Sequence, residues 1–191
     1  YWRPDLLAEP VPAAVRNDYL GYLRRHDHLL GIEVFNQRDR YPWDRLLWDA
    51  LLAECMPDRP VWGFADDDMH SMSTFGYGRN VFLLDEASLD AVRRAMVGGA
   101  FYFNHGTEPD RLPVLTRVAH DEEAGTLEVT GEVAGEPLAR TAYRWVSDGR
   151  PVQVGPRLCY RTVPGLGGYV RVELIGPGGT TYVNPFGLGG R

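Results

Sequence analysis

The sequence contains no lysine, so all 20 of its positive side chains are arginines, against 26 acidic residues and a net charge of −6. A protein that binds the phosphate backbone of nucleic acid normally carries a basic face. The acidic balance therefore argues against nucleic-acid binding. A small phosphorylated substrate remains compatible with it, because one or two well-placed cations suffice for such a ligand.

Cysteine and long hydrophobic runs are also scarce. Cys55 and Cys159 lie far apart and form no CxxC pair, so the sequence indicates neither a disulfide scaffold nor a structural zinc site. No stretch approaches the roughly 18 to 20 consecutive apolar residues of a membrane span. The opening "YWRPDLLAEP" has no initiator Met and no signal-peptide pattern, which predicts a mature or truncated start and a cytoplasmic location.

The composition is that of a folded protein, with 44% hydrophobic and 12% aromatic residues in 191 positions, which suits one or two domains. Short apolar runs at 29–35, 60–65 and 100–103 predict strands, and the stretches 41–55 and 88–99 predict helices between them. The first helix is expected to bury one face made of Trp43, Leu46, Leu47, Ala50 and Leu51. Strands alternating with helices predict an α/β domain with parallel strands.

The pattern changes after about Gly106. Short alternating segments punctuated by Gly, Pro, Asp and Asn follow, which is typical of an antiparallel sandwich. In "YVRVELI" the alternation predicts that Arg171 and Glu173 lie on the solvent face. We therefore divide the chain into an α/β domain at 1–106 and a β-sandwich domain at 107–191.

The segment "GFADDDMH" carries the strongest chemical signal. Asp66, Asp67, Asp68 and His70 directly follow the predicted strand at 60–65, and functional groups of parallel α/β domains lie at the carboxyl ends of strands. Adjacent carboxylates repel one another unless a cation is present, and Asp-x-His offers oxygen and nitrogen ligands that suit Zn, Mn or Fe. The alternative is an acidic turn in which Asp66 or Asp67 caps the next segment.

Other candidates occupy corresponding positions. Glu33 lies inside "GIEVFN" and needs a partner or a metal if buried, and Asn36 lies at its carboxyl end; alternatively Glu33 faces an arginine and Asn36 caps the turn. Arg79 in "GYGRN" and His105 after "AFYF" are candidates for contact with substrate. By contrast, "HDH" at 26–28 precedes its strand, and we interpret it as a surface connection.

The order "GIEVFN", helix, "VWGFADDDMH", "GYGRNVFLL", "SLDAVRRAMVGGAFYF" resembles the second half of a polymerase and histidinol phosphatase (PHP) domain, and "GYVRVELIGPGGTTYVNPFGL" resembles a β-sandwich that follows it. The resemblance implies the carboxyl-terminal part of a distorted (β/α)7 barrel, with two or three divalent ions that activate water for phosphoester hydrolysis. It implies Asp68 and His70 as metal ligands. Glu33 and Asp67, taken as catalytic, and Asn36, taken as substrate-binding, match family positions near the site.

The family's amino-terminal His-x-His motif is absent from this sequence and is expected before Tyr1. We therefore expect a metal-dependent hydrolase, most simply a phosphoesterase for a small substrate, of which this chain alone binds metal poorly and turns over nothing. An incomplete barrel edge also predicts possible homo-oligomers. The alternative is a noncatalytic recognition or scaffolding module whose acidic cluster is incidental.

Overall fold

The computed structural model describes residues 11–189. Three α-helices are present in this range: α1 (Ala13–Arg25), α2 (Asp44–Cys55) and α3 (Leu89–Gly98). The strands are β1 (Gly31–Asn36), β2 (Trp62–Asp66), β3 (Gly78–Phe82), β4 (Phe101–Gly106), β5 (Val114–Asp121), β6 (Thr126–Val133), β7 (Glu136–Pro137), β8 (Tyr143–Ser147), β9 (Arg150–Val154), β10 (Arg157–Cys159), β11 (Tyr169–Gly176) and β12 (Gly179–Gly187).

The strands form three sheets. A six-stranded antiparallel sheet has the order β3-β4-β12-β11-β8-β9, and a smaller antiparallel sheet has the order β10-β6-β5 with β7 beside β6. Strands β1 and β2 form a separate parallel pair. Among residues 11–189, β1 has no strand on its other edge.

The six-stranded sheet is the middle layer, because side chains from both of its faces are buried. Phe103, Tyr169 and Tyr182 belong to a core with α1, α2, β1 and β2. Alternate residues of the same strands, such as Val170 and Val172, belong to a second core with β5 and β6. The result is a β-sandwich with a helical layer and the parallel pair on its outer side.

The predicted (β/α)7 barrel segment is therefore wrong. Only β1 and β2 run parallel, while β4, expected as a third parallel strand, pairs antiparallel with β3 and β12. The alternation of strands with helices was misleading, because α3 connects two strands that pair antiparallel rather than serving as a parallel crossover. Gly99 caps the carboxyl end of α3, and its φ of 71° lets the chain reverse into β4.

Strands from both predicted domains share the six-stranded sheet. Strands β3 and β4 precede the boundary at residue 106, and β4 pairs with β12 at the far end of the chain. A continuous hydrogen-bonded sheet thus connects the two stretches. The strands expected after residue 106 are present and antiparallel.

The buried face of α2 is rotated from the predicted one. Trp48 and Leu52 are fully buried together with Leu47 and Leu51, whereas Trp43 is only partly buried. Trp48 donates a hydrogen bond from Nε1 to the carbonyl of Val61, 2.8 Å away. Periodicity predicts a helix well but fixes its rotation poorly when apolar residues surround most of the axis.

Arg171 and Glu173 are buried, so their predicted solvent exposure is wrong. This face of β11 is covered by α2, whose Asp49 accepts hydrogen bonds from Arg171 Nε at 2.8 Å and Nη2 at 2.7 Å. Arg171 Nη1 donates to Glu173 Oε1 at 2.6 Å, and the Tyr169 hydroxyl donates to Asp49 at 2.8 Å. The helical layer is thus joined to the sheet by a buried ionic network.

Two asparagine side chains attach β2 to the rest of the molecule. Asn184 on β12 accepts from the Gly63 N–H at 2.9 Å and donates to the Phe101 carbonyl at 3.1 Å. Asn80 on β3 accepts from the Ala65 N–H at 3.1 Å and donates to the Ala65 carbonyl at 2.8 Å. These amides satisfy backbone groups on the edge of β2 that β1 does not pair.

None of the helices in residues 11–189 combines the length and the apolar character needed to cross a bilayer.

Candidate metal centre at the parallel strand pair

The carboxyl ends of β1 and β2 lie side by side, with Asn36 opposite Asp66 in the register of the pair. Glu33 accepts a hydrogen bond from Asn36 Nδ2 at its Oε1, 2.9 Å away. The loops that follow the two strands therefore begin at the same edge. The sequence places polar groups at both ends, and the parallel pairing brings them together.

Gln37 connects the two loops. Its Nε2 donates to Asp68 Oδ2 at 2.7 Å and lies 3.4 Å from His70 Nδ1, while Arg40 holds its Oε1 at 3.0 Å. Arg38 adds a hydrogen bond to the Ser73 carbonyl. The Asp-x-His segment is consequently positioned by side chains from the loop after β1.

Both loops contain non-glycine residues in the left-handed backbone region. Gln37, Arg38 and Asp39 have φ values of 42°, 57° and 63°, and Asp68 has a φ of 41°. Such conformations cost of order 1 kcal/mol or more each and persist where surrounding contacts hold them. The contact between Gln37 and Asp68 joins two such segments, so both loops depart from ordinary turns at the same place.

Glu33 and Asp66, two carboxyl groups at this edge, have raised pKa values. Burial raises the pKa of Glu33, the hydrogen bond from Asn36 opposes that rise, and Asp66 and Asp68 raise the pKa further. Burial and then Asp67 likewise raise the pKa of Asp66. The proximity of several carboxylates favours protonation or a cation at this edge.

Asp67 organises the loop through its carboxylate. Oδ1 accepts the N–H groups of Tyr77 at 2.9 Å and Gly78 at 2.8 Å, and Oδ2 accepts the N–H of Gly76. Three backbone donors therefore converge on one side chain, which closes the loop between β2 and β3. This arrangement resembles the capping role that was the alternative interpretation of the acidic run.

We expect Asp67→Ala to destabilise this loop by about 1 to 3 kcal/mol, because three half-buried backbone donors would lose their acceptor. Amide hydrogen exchange at Gly76, Tyr77 and Gly78 should accelerate, and a matched Asp68→Ala variant should leave these three amides protected. Unchanged exchange in Asp67→Ala would show that other groups hold the loop.

Arg79 and His105 contact other parts of the surface. Arg79 Nη2 donates to the Gly76 carbonyl at 2.5 Å, and His105 stacks on Phe35 with ring centroids 4.5 Å apart. Within residues 11–189 no hydrogen bond or ion pair joins either residue to Asp68 or His70. The His105 Nε2 atom is buried without a hydrogen-bond partner, and burial lowers the pKa of this imidazole.

Asp68 and His70 fit one edge of an ion's coordination shell. Asp68 Oδ1 lies 3.7 Å from His70 Nδ1, and both side chains are well exposed. Two donors that each lie about 2.1 Å from one ion are separated by roughly 3 to 4 Å. His70 Nδ1 presently lies 2.6 Å from the Asp68 carbonyl oxygen, so metal binding requires the ring to turn.

The ligand set is incomplete in the part of the chain that the structure describes. No group of three or more His, Cys, Asp and Glu side chains is placed there to hold an ion. Exposed His26 and His28 lie on the surface connection before β1, as we interpreted them, with ring centroids 5.7 Å apart. A metal ion held by Asp68 and His70 would therefore need ligands beyond these two.

Two residues with important contacts were missed from the sequence. Gln37 bridges the loops, yet it follows Asn36 in a polar run with nothing to distinguish it. Asp44 begins α2 and is buried, although an aspartate in a first helical turn is usually an exposed complement to the helix dipole. Asp44 did carry a signal, because it lies three and four positions before Leu47 and Trp48 on the buried face of α2.

Comparisons of this chain with protein-family models, with curated proteins and with solved structures found no match.

Proposed function

We propose that this chain supplies part of a divalent-metal site of a cytoplasmic hydrolase, with Asp68 and His70 as ligands and a small phosphoester as substrate. A bound ion of this kind lowers the pKa of a coordinated water and neutralises developing charge on phosphate. The motifs resemble those of the PHP family. The proposal keeps that family's phosphoester hydrolysis but assigns it to a fold other than the barrel. Ligands from outside residues 11–189 complete the site.

The observation that carries the proposal is the distance of 3.7 Å between Asp68 Oδ1 and His70 Nδ1. It is supported by Gln37, which holds the Asp68 carboxylate, and by Glu33, whose carboxyl group has a raised pKa. In the proposed site Glu33 and Asn36 face the reacting groups from β1, and Asp67 positions the ligand loop. Arg79 on β3 and His105 on β4 contact a substrate that extends toward these two strands.

A noncatalytic recognition or scaffolding module is the second candidate. It is favoured by Asp67, whose carboxylate is fully engaged by backbone N–H groups and thus explains one of the three aspartates structurally. Under this alternative the acidic run closes the loop between β2 and β3, and a metal ion binds there no better than at other exposed carboxylates.

Metal titration distinguishes the two candidates. We expect Mn²⁺ to bind the chain weakly and to broaden NMR signals of Gln37 and His70 selectively, because two protein ligands hold an ion loosely. Asp68→Asn and His70→Ala should each weaken binding at least about tenfold, as loss of a ligand costs no less than loss of a supporting group. Free Mn²⁺ measured by electron paramagnetic resonance gives the affinity.

The chain provides its own control in "HDH" at 26–28, which has the same residue types without the predicted geometry. His28→Ala should leave both affinity and broadening unchanged. Equal broadening at His28 and His70, or unaltered affinity in His70→Ala, would favour the noncatalytic module. With bis(p-nitrophenyl) phosphate as substrate we expect no turnover by the 191-residue chain, and turnover would show that the site is complete without further ligands.

A further inference from the structure

A cavity of about 220 Å³ lies between α1 and β1, apart from the strand ends that carry Asp68 and His70. Its apolar part is formed by four aliphatic side chains, Leu23, Leu29, Ile32 and Leu47. Tyr19 and Tyr22 contribute aromatic rings, and Glu33 and Asp44 contribute carboxyl groups. The volume is below the usual range for drug-sized ligands and suits a small molecule or one side chain.

Asp44 is the unusual member of this lining. Its side chain is only 4% exposed, and its Oδ1 atom is buried and accepts no hydrogen bond. The adjacent Arg45 forms no ion pair with it and instead donates from Nη1 to Asp39 at 2.5 Å. A buried carboxylate oxygen that accepts no hydrogen bond is costly in an apolar setting, so the site favours a donor that carries positive charge.

The neighbouring groups match a cation. Glu33 lies close enough to Asp44 that its charge raises the pKa of Asp44, and only one of Glu33's oxygens is engaged by Asn36. Tyr22 is 50% exposed and already attracts Arg25, whose guanidinium carbon lies 5.2 Å from the ring centroid. An aromatic ring at the solvent side thus accepts cations in this structure.

We propose that this cavity binds a monocation with a short aliphatic stem, an alkylguanidinium or alkylammonium, whose head lies between Asp44 and Glu33 and whose stem packs on the leucines. A guanidinium is favoured over an ammonium because its planar fork pairs with two carboxylates and stacks on tyrosine. The same chemistry is present in a free amine or guanidine and in the arginine side chain of another polypeptide.

The ionisation of Asp44 gives the site a pH dependence. Burial, followed by the charge of Glu33, raises the pKa of Asp44 to about 7, while Arg45 lowers it and Asp39 raises it. Tyr19 faces Asp44 from α1 and is neutral near pH 7, since burial and then Asp44 raise its pKa. Only the ionised carboxylate attracts a cation strongly, so affinity should rise from pH 6 to pH 8.

The test is calorimetric titration of the chain with n-butylguanidinium and with n-butylurea, its neutral analogue of equal shape. We expect n-butylurea to bind at least about tenfold more weakly, and Asp44→Asn to weaken n-butylguanidinium binding by a similar factor, because a charged hydrogen bond is lost. Tyr22→Leu, at the half-exposed mouth, should weaken binding severalfold with little risk to folding.

Asp18→Asn is the matched control, because Asp18 is an exposed acid of α1 next to Tyr19. It should leave the affinity within about twofold, as surface charges act weakly. A tripeptide with a central arginine and blocked ends identifies the source: binding at least as tight as that of n-butylguanidinium indicates a polypeptide arginine, and exclusion of the peptide indicates a free small molecule.

Equal binding of n-butylguanidinium and n-butylurea would overturn the proposal, and so would absence of n-butylguanidinium binding at millimolar concentration. The proposal would also be overturned if Tyr22→Leu and Asp44→Asn, tested separately, both bound n-butylguanidinium with unaltered affinity. None of these results depends on metal binding at Asp68 and His70, so the two proposals can fail separately.

Discussion

Arg171→Ala is expected to lower the free energy of unfolding by about 3 to 5 kcal/mol, because it leaves buried Asp49 without a cation and removes one of the two cations that pair with Glu173. Asp49 on α2 would lose both of its guanidinium contacts, and Glu173 would keep only Arg144, whose Nε donates to it at 2.7 Å. Burial alone would lower the pKa of Arg171, but Asp49 and Glu173 raise it overall, so the arginine is charged. Urea unfolding at pH 7 measures the effect.

The control is Arg93→Ala on α3. Arg93 and Asp90 form an ion pair of 3.5 Å, but their side chains are 79% and 78% exposed. Exposed pairs contribute between zero and about 1 kcal/mol, so this variant should unfold almost as the parent does. Similar losses of unfolding free energy in the two variants would mean that water reaches the ionic network around Arg171.

Gly31→Ala is expected to cost roughly 3 kcal/mol or more, at the upper end of what overpacking produces. A Cβ atom built on Gly31 would lie 1.9 Å from the carbonyl oxygen of Trp62 and 2.6 Å from its carbonyl carbon. Both atoms belong to the backbone of the paired strand, so no side-chain rotation relieves the overlap. The strands must separate, which also displaces Asn36 from Asp66.

Gly98→Ala is the matched control for this substitution. Gly98 is the last residue of α3, and a Cβ atom there would meet nothing within 4 Å. Alanine is the better helix former, so we expect a gain of about 0.5 to 1 kcal/mol in unfolding free energy. The same chemical change should therefore have opposite signs at the two positions, and a loss at Gly98 comparable with that at Gly31 would contradict the steric argument.

Local pattern predicted α2 and α3 but not α1 or β3, and it did not predict how the elements are arranged. Ser88 and Gly99 delimit α3 as expected, with the Ser88 hydroxyl accepting from the Ala91 N–H at 3.1 Å. The direction of β4 relative to its neighbours depends on β12, which lies about 80 residues later, and local periodicity contains no information on such pairing. The barrel prediction failed at this step.

The charged residues of β11 failed for a related reason. Alternation in "YVRVELI" correctly separates two faces, but it predicts solvent on the polar face only if nothing else covers that face. Here α2 covers it and contributes Asp49, so Arg171 and Glu173 pair inside the protein. The sequence contains both Asp49 and Arg171, yet more than 100 positions separate these two residues.

The candidate site was partly predictable. Placement of Asp68 and Asn36 at the carboxyl ends of adjacent strands follows from the parallel pair, which the sequence indicated. Gln37 bridges the two loops from a turn of three consecutive residues in the left-handed backbone region. None of the residue types in that turn predicts this conformation. Asp44 was overlooked because α1 packs against α2, and a local pattern within α2 does not reveal that contact.

The attachment of β2 through Asn80 and Asn184 has a consequence for cooperativity. Two side-chain amides hold β2 to β3, β4 and β12, whereas a backbone ladder joins neighbouring strands within the six-stranded sheet. A ladder opens only by breaking many hydrogen bonds in succession, whereas these amides can release together by rotation about their side-chain bonds. The Gly63 and Ala65 amides can therefore exchange through local opening at two side chains, while the core that Phe35 shares with Phe103 and Tyr182 holds the parallel pair on the sheet.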